Sequence, residues 1–338
     1  MWQDVEAAIE QYRNFLLTTH IHPDGDGIGS ACALSELLLA RGKKVRFVCD
    51  SPIPNKFRFL DYHGTFEEYL GPNHYNEVDC LVVLDAHKLD RIGAVAEVVK
   101  RPGVTSLCLD HHHASNPFTP LGVIDPSACS VGAMIYTLYQ DFQLPLNLRA
   151  ANGIYTSIFC DTGRFSYAST THRAHRIAQE CIQLGVDPDV MYNRLFQQLS
   201  MSQLQIFARV LQQMEAHCKN RLLVQTLRLS DVADMNITAE EVEELDLEYI
   251  LEFDRLVAKV DCVVLLREVG GGNIRVSIRT KAHVDVTHVM ERLGGGGHSH
   301  AAGALVEGTV EQVKERVIQE VTPLLISSSP AHLPELNV

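Results

Sequence analysis

The sequence predicts an α/β protein: an N-terminal parallel-sheet domain, then a smaller C-terminal α/β domain, joined by a helical linker. Three observations predict it. Short β-rich runs alternate with helical stretches through the first half, the pattern of a parallel sheet covered by helices. From about Asp187 to Lys219 the alternation stops, and amphipathic helical spacing continues without strand character. Strand-like runs then restart at RLLVQTLRL. A length of 338 residues agrees, since it is more than one core usually holds and suits two. The expected divisions are a first domain over 1–187, a linker over 188–219, a second domain over 220–326 and a disordered tail over 327–338.

In chain order, strands are predicted at Phe15–His20, Lys44–Asp50, Cys80–Ala86 and Ser106–His111. Helices are predicted at Ile28–Arg41, Arg91–Lys100, Val131–Phe142, Arg149–Phe159 and Thr171–Leu184, several closed by turn residues such as Gly42 and Gly185. Beyond the linker, CVVLLREV and NIRVSIRTK flank Gly270-Gly271-Gly272-Asn273 and read as a β-hairpin. A helical stretch around Ala239–Val257 precedes it. A helix at Val286–Leu293, the run GGGGHSHAAG, a strand at Ala304–Val306 and a helix at Val310–Leu325 complete the second domain.

Composition narrows the function. The net charge of −13 argues against a non-specific duplex-DNA binder, whose affinity comes from a broad basic surface. A polyanionic substrate would need metal ions or a local Arg/Lys/His cluster to offset that field. Nine cysteines, an odd number without a C-x-x-C pair, read as reduced and mostly buried. The acidic, amphipathic start and the lack of an uncharged run of ~20 residues argue against a membrane span, so cytoplasm is expected.

The chemistry gathers where apolar runs end. FLLTTH leads into His20-Ile21-His22-Pro23-Asp24-Gly25-Asp26; CLVVL ends in Asp85; SLCL ends in Asp110-His111-His112-His113; and Ile154–Cys160 ends in Asp161-Thr162-Gly163. Ligands bind at the carboxyl edge of open parallel sheets. If these ends are neighbours, Asp24, Asp26, Asp85 and Asp161 converge, and unpaired carboxylates so placed raise one another's pKa. One or two bound dications remove that conflict. Carboxylates and imidazoles without thiolates suit Mn²⁺ or Mg²⁺ better than a structural zinc site, and two Mn²⁺ ions are expected. Alone, Asp24 and Asp26 also read as turn and N-cap residues. His22 and His113 read as loop residues.

These motifs resemble the DHH phosphoesterase superfamily: the H-x-x-P-D-x-D-x-x-G-S opening, an isolated Asp, Asp-His-His and a last Asp-T-G. The second half resembles the accompanying DHHA1 domain through SIRTK and Gly294-Gly295-Gly296-Gly297-His298-Ser299-His300-Ala301-Ala302-Gly303. Order and length resemble the NrnA type, nanoRNA-degrading oligoribonucleases that also dephosphorylate 3′-phosphoadenosine 5′-phosphate. The resemblance implies that His20 and Asp24 hold one ion, that Asp26, His111 and Asp161 hold the other, and that Asp85 bridges both. It further implies that His112 faces the phosphate as a catalytic group and that Asp110 orients the neighbouring imidazoles.

Four consecutive glycines are expected to form an anion-binding loop, with Gly295, Gly296, Gly297 and His298 gripping substrate. Arg279 and Lys281 would meet phosphate or base. Arg275 shares a strand face with Arg279, and Arg164, three after Asp161, is a further phosphate candidate with a surface carboxylate as its alternative partner.

The expected partner is therefore short single-stranded RNA or DNA, or a nucleotide, in a cleft between the domains; a homodimer is compatible. The rival readings are an inorganic pyrophosphatase or exopolyphosphatase, a cyclic-dinucleotide phosphodiesterase, and a catalytically silent nucleotide sensor. The glycine run weighs against the pyrophosphatase, and the intact acidic set against the sensor.

Overall fold

The computed structural model describes residues 1–327 apart from 115, 234, 236–246, 282–283 and 299. The expected tail beyond Ser327 and the first part of the expected helix at Ala239–Val257 lie outside the described residues. The chain divides into two compact units, Met1–Gln198 and Leu199 onward. Among the described residues no helix is long and apolar enough to cross a membrane.

The first unit is built on six parallel strands: β1 (Asn14–Thr18), β2 (Lys44–Cys49), β3 (Phe66–Glu68), β4 (Cys80–Leu84), β5 (Thr105–Asp110) and β6 (Gly122–Ile124). They lie in the order β3-β2-β1-β4-β5-β6. Alternate residues feed two cores: Phe15, Leu17, Phe47 and Val82 go to one face, Leu16, Val48, Leu81 and Val83 to the other. Burial on both faces explains why these strands read as continuous apolar runs.

Helices α2 (Gly25–Ala40), α4 (Val131–Asp141), α5 (Leu148–Asp161) and α6 (His172–Gln183) follow the expected helices closely, and the amphipathic start, for which no helix was predicted, forms α1 (Gln3–Gln11). The expected helix over Arg91–Lys100 is instead 3₁₀ turns at Leu89–Val95 and one α turn, α3 (Ala96–Val99). The chain breaks at Gly93, with φ +57, where a Cβ would stand 2.1 Å from Asp50 Oδ2. Close contact overrides helical spacing there.

Helix α7 (Pro188–Phe196) closes the first unit. The second holds α8 (Met201–Gln212) and a mixed sheet in the order β11-β12-β10-β9-β8-β7. Its strands are β7 (Glu215–His217), β8 (Leu222–Leu227), β9 (Cys262–Glu268), β10 (Asn273–Thr280), β11 (Gly296–His298) and β12 (Ala301–Glu307). Strands β9 and β10 form the predicted antiparallel hairpin. Strand β7 was not expected in a helical linker; three residues carry no periodicity, and antiparallel pairing with β8 is what makes them a strand.

Candidate metal centre

In the first sheet the strand order reverses between β1 and β4, which pair in parallel. Crevices beyond strand ends at such a reversal are where ligands settle in open α/β sheets. His20 follows β1 and Asp85 follows β4, so the topology alone brings them together. His20 Nε2 stands 3.4 Å from Asp85 Oδ2 and 3.7 Å from Asp24 Oδ1. Asp24 caps α2, accepting from the amides of Asp26 at 2.9 Å and Gly27 at 3.2 Å.

Asp26 sits two residues further, in the first turn of α2, fully buried. It accepts from Ser30 Oγ at 3.0 Å, Ser157 Oγ at 2.6 Å and the Val131 amide at 2.9 Å, the first amide of α4. Helix N-termini favour negative charge, and α4 turns its first amides, Val131 and Gly132, toward this carboxylate. The contact exists because α2 and α5 meet backbone to backbone at Gly29 and Gly153; a Cβ on Gly29 would lie 2.4 Å from the Gly153 carbonyl oxygen. Gly153, Ser157 and Asp161 recur every four residues, which puts them on one face of α5 turned toward Asp26.

Asp85 adopts φ +59, a left-handed conformation costing a non-glycine residue about 1–2 kcal/mol. Its carboxylate is thereby shared. Oδ2 faces His20, while Oδ1 lies 3.5 Å from His111 Nε2. His111 Nε2 also stands 3.5 Å from Asp26 Oδ2 and 3.4 Å from Asp161 Oδ2. Two ligand sets result, His20/Asp24/Asp85 and Asp26/His111/Asp161, the donor atoms of each lying within 4.8 Å of one another.

Both imidazoles are prepared for a cation. His20 Nδ1 donates to the Ile21 carbonyl at 2.9 Å and His111 Nδ1 to the Ala128 carbonyl at 3.3 Å, which leaves Nε2 as the inward nitrogen in each. Metal-binding histidines are characteristically held this way. Asp85 Oδ1 and His111 Nε2 are buried without a hydrogen-bond partner among the described residues, a cost that a bound ion would remove. The donor set therefore fits divalent cations.

A third set, Asp85/His111/His112, also lies within reach of one ion. His112 Nδ1 is nevertheless committed to Asp110 Oδ1 at 2.7 Å. The other oxygen of the buried Asp110 takes His87 Nδ1 at 2.6 Å, so one carboxylate holds two rings. His87 carried no periodic signal in the sequence; only its place two residues after Asp85 pointed to it.

Electrostatics follow from burial. Burial, then Asp26, pushes the Asp85 carboxyl up to about 6, despite His20. Burial, then Asp26 and Asp85, pushes Asp161 well above the ordinary carboxylate range. Burial opposes charge on His20, but Asp24 and Asp85 outweigh it and raise the ring to about 11. Burial likewise opposes charge on His112, and Asp110 outweighs it, lifting the ring to about 8. The two imidazoles in turn hold Asp110 far below the usual range against its burial.

Residues 14–163 match the DHH family, N-terminal domain, and residues 229–325 match the DHHA1 domain. A protein of Thermus thermophilus named bifunctional oligoribonuclease and PAP phosphatase NrnA is 32% identical over 90% of this chain and 88% of its own. This chain belongs to the DHH family. As a DHH protein it is a hydrolase of phosphoester bonds. A Bacillus subtilis protein of the same name is 28% identical over 88% of this chain and 91% of its own. The crystal structure of an exopolyphosphatase-related protein from Bacteroides fragilis has the same fold: TM-score 0.86, 23% identity, 96% of this chain and 97% of that one.

The DHHA1 unit departs from the expected anion-binding loop. Gly294 alone makes a turn, with φ +79, after the helix Thr287–Arg292. Gly296–His298 then pair as strand β11 along β12. The glycines answer to that close approach: a Cβ would stand 2.1 Å from the Gly303 carbonyl oxygen at Gly295 and 2.5 Å from Ala302 Cα at Gly297. Strand β11 is the edge of its sheet, and Gly296 and Gly297 are exposed. His298 ends the strand; its side chain lies outside the described part of the structure.

Arg279 on β10 is partly exposed, and one of its nitrogens reaches its neighbour's carbonyl, Ile278, at 3.0 Å. Lys281 donates to the carbonyls of Val257 at 3.1 Å and Ala258 at 2.9 Å, tying down the end of the preceding helical segment. In the first unit Arg164 is exposed and lies over the Phe196 ring, 5.1 Å from its centroid.

Proposed function

We propose that this chain hydrolyses short oligonucleotides stepwise to mononucleotides, and 3′-phosphoadenosine 5′-phosphate to AMP, with two divalent cations held by six residues of the DHH unit. The observation that carries the reading is Asp85, whose two oxygens face two separate ligand sets. His20 and Asp24 would hold one ion, Asp26, His111 and Asp161 the other, and Asp85 both. We take Mn²⁺ as the ion, because oxygen and imidazole donors suit it. When bound, the ions would supply a nucleophilic water and neutralise charge on the phosphoryl group.

The residues divide the remaining work. Asp110 fixes the His112 ring through Nδ1, so that the opposite nitrogen can deliver a proton to the leaving oxygen. Arg279, Gly295, Gly296, Gly297 and His298 grip the nucleotide from the DHHA1 unit, and Arg164 from the DHH unit. Lys281, with two of its three donors on the Val257 and Ala258 carbonyls, can join them with the third. The division into a metal-bearing domain over 1–187, a linker over 188–219 and a substrate domain over 220–326 belongs to this proposal. So does a cytoplasmic location, which nine free thiols support.

The names of the relatives support the substrate class, and the charge supports shortness. Against −13, each phosphate beyond the site adds little attraction and meets an acidic surface. The test is hydrolysis of diadenylate, 3′-phosphoadenosine 5′-phosphate, inorganic pyrophosphate and an RNA of roughly twenty residues, with Mn²⁺ and then with chelator. The expected result is rapid, chelator-sensitive release of AMP from the first two. Preference for pyrophosphate, or equal rates on the dinucleotide and the long RNA, would overturn the reading.

A further inference from the structure

The segment following Asp161 is locally cationic. From Thr162 to Gln179 it holds Arg164, Arg173 and Arg176 with His172 and His175, and no carboxylate, within a protein of net charge −13. The three arginines are exposed. Its first turn is conformationally costly: Gly163, Arg164 and Phe165 all adopt left-handed φ, at +55°, +61° and +62°. Such runs persist where surrounding contacts enforce them, and they gather at ligand sites.

What the turn achieves is the placement of two rings. Phe165 goes inward, against Tyr155, Phe159 and the stacked ring of His175. Tyr167 goes outward. Its amide donates to the Thr162 carbonyl at 2.9 Å and its carbonyl accepts from the Thr170 amide at 3.0 Å, so its backbone is fixed on the turn. Its ring lies over Gly163: a Cβ there would stand 2.4, 2.4 and 2.6 Å from three successive ring carbons, nearly equidistant, as they are beneath a ring face. Any side chain at 163 would push the ring away. Tyr167 remains 41% exposed, and the Gly163 beneath its ring is two positions from Asp161, which turns a carboxylate oxygen toward His111.

A flat aromatic face held beside a phosphoryl-handling centre, in a locally cationic strip, suits a nucleobase whose phosphate is at that centre. We propose that Tyr167 is a stacking platform for the base of the terminal nucleotide. A bare phosphate or pyrophosphate gains nothing from a π face, whereas base stacking is sequence-tolerant, because every base has one. The platform rests on the nucleotide-hydrolase reading and adds to it the means by which the DHH unit itself selects nucleotides over inorganic phosphates.

The test is calorimetric titration of the Mn²⁺-loaded protein with AMP and with ribose 5-phosphate, which lacks the base. Tyr167→Leu keeps apolar bulk over Gly163 and removes the π face; Tyr167→Phe keeps the face and removes the hydroxyl. The expected result is that Tyr167→Leu binds AMP about tenfold more weakly, binds ribose 5-phosphate as before, and that Tyr167→Phe matches the wild type for both. Three results would overturn it: a wild-type protein that does not prefer AMP to ribose 5-phosphate, a Leu variant that keeps AMP affinity, or one that loses both ligands alike. Hydrolysis of diadenylate by the wild type is scored separately, so the nucleotidase reading can stand when the platform falls.

Discussion

Asp85 Oδ1 and His111 Nε2 lie 3.5 Å apart, both buried and neither with a hydrogen-bond partner among the described residues. An acceptor and an inward-turned ring nitrogen left facing each other cost stability unless a cation joins them. Asp85→Asn removes the charge that serves both ligand sets while keeping the side-chain shape. The expected outcome is loss of both ions and a fall in turnover of at least about a hundredfold, with the circular dichroism spectrum unchanged. Metal analysis of the purified variant checks it; a well-folded variant with full activity would refute the assignment.

The pair formed by His87 and His112 across Asp110 predicts a different phenotype. Asp110→Asn should leave ion content near normal, because Asp110 faces the rings and not the ligand sets. It should lower kcat by roughly 10–100-fold with little change in KM, as expected when a catalytic ring loses its orientation. His87→Ala should give a smaller loss of the same kind, since Asp110 keeps His112. Steady-state kinetics with metal analysis separate these outcomes from simple ion loss.

Ion binding should depend on pH. In the ion-free protein Asp85 is raised from its usual 3.8 to about 6. Between those values the folded state holds a proton that the unfolded chain has shed, so stability falls as pH rises through that window. Asp161, also raised, acts in the same direction. Ions relieve both. The melting temperature gained on adding Mn²⁺ should therefore be larger at pH 7.5 than at pH 5.

His20 shifts stability with pH in the same direction, by losing a favourable contribution. Raised to about 11, it stabilises the ion-free fold fully below its unfolded value, and that contribution is lost only as pH rises through the folded one. An ion must displace its proton. Calorimetry at pH 7.5 in buffers of different ionisation enthalpy should detect release of about one proton as the ions bind. Binding without proton release would mean that His20 is not a ligand.

Gly29→Ala tests how the helices place the site. A Cβ 2.4 Å from the Gly153 carbonyl oxygen forces α2 away from α5 and draws Asp26 from Ser157. The expected cost is about 1–3 kcal/mol of stability, with weaker ion binding as well. Thermal melts with and without Mn²⁺ measure both. The same substitution at Gly296, where a Cβ meets nothing within 4 Å, should be nearly neutral for stability.

The sequence by itself determined β1, β2, β4 and β5 of the parallel sheet, because burial on both faces makes each one an apolar run, and His or Asp at the end of a run marks the sheet edge. It determined the α5 helix and its last aspartate by the same apolar pattern. Tertiary structure decided what local pattern cannot encode. Strands β3, β6, β7 and β11 are three residues each, too short for periodicity, and exist through pairing with their neighbours. The glycine run that reads as a loop became a strand because β12 approaches too closely for any Cβ at Gly295 or Gly297. The sharing of Asp110 by His87 and His112 joins residues 23 and 2 positions from it, and the opposed oxygens of Asp85 depend on a left-handed φ. Both arise only when β4 and β5 lie side by side, since side-chain direction at a strand end is set by the neighbouring backbone and not by the residue itself.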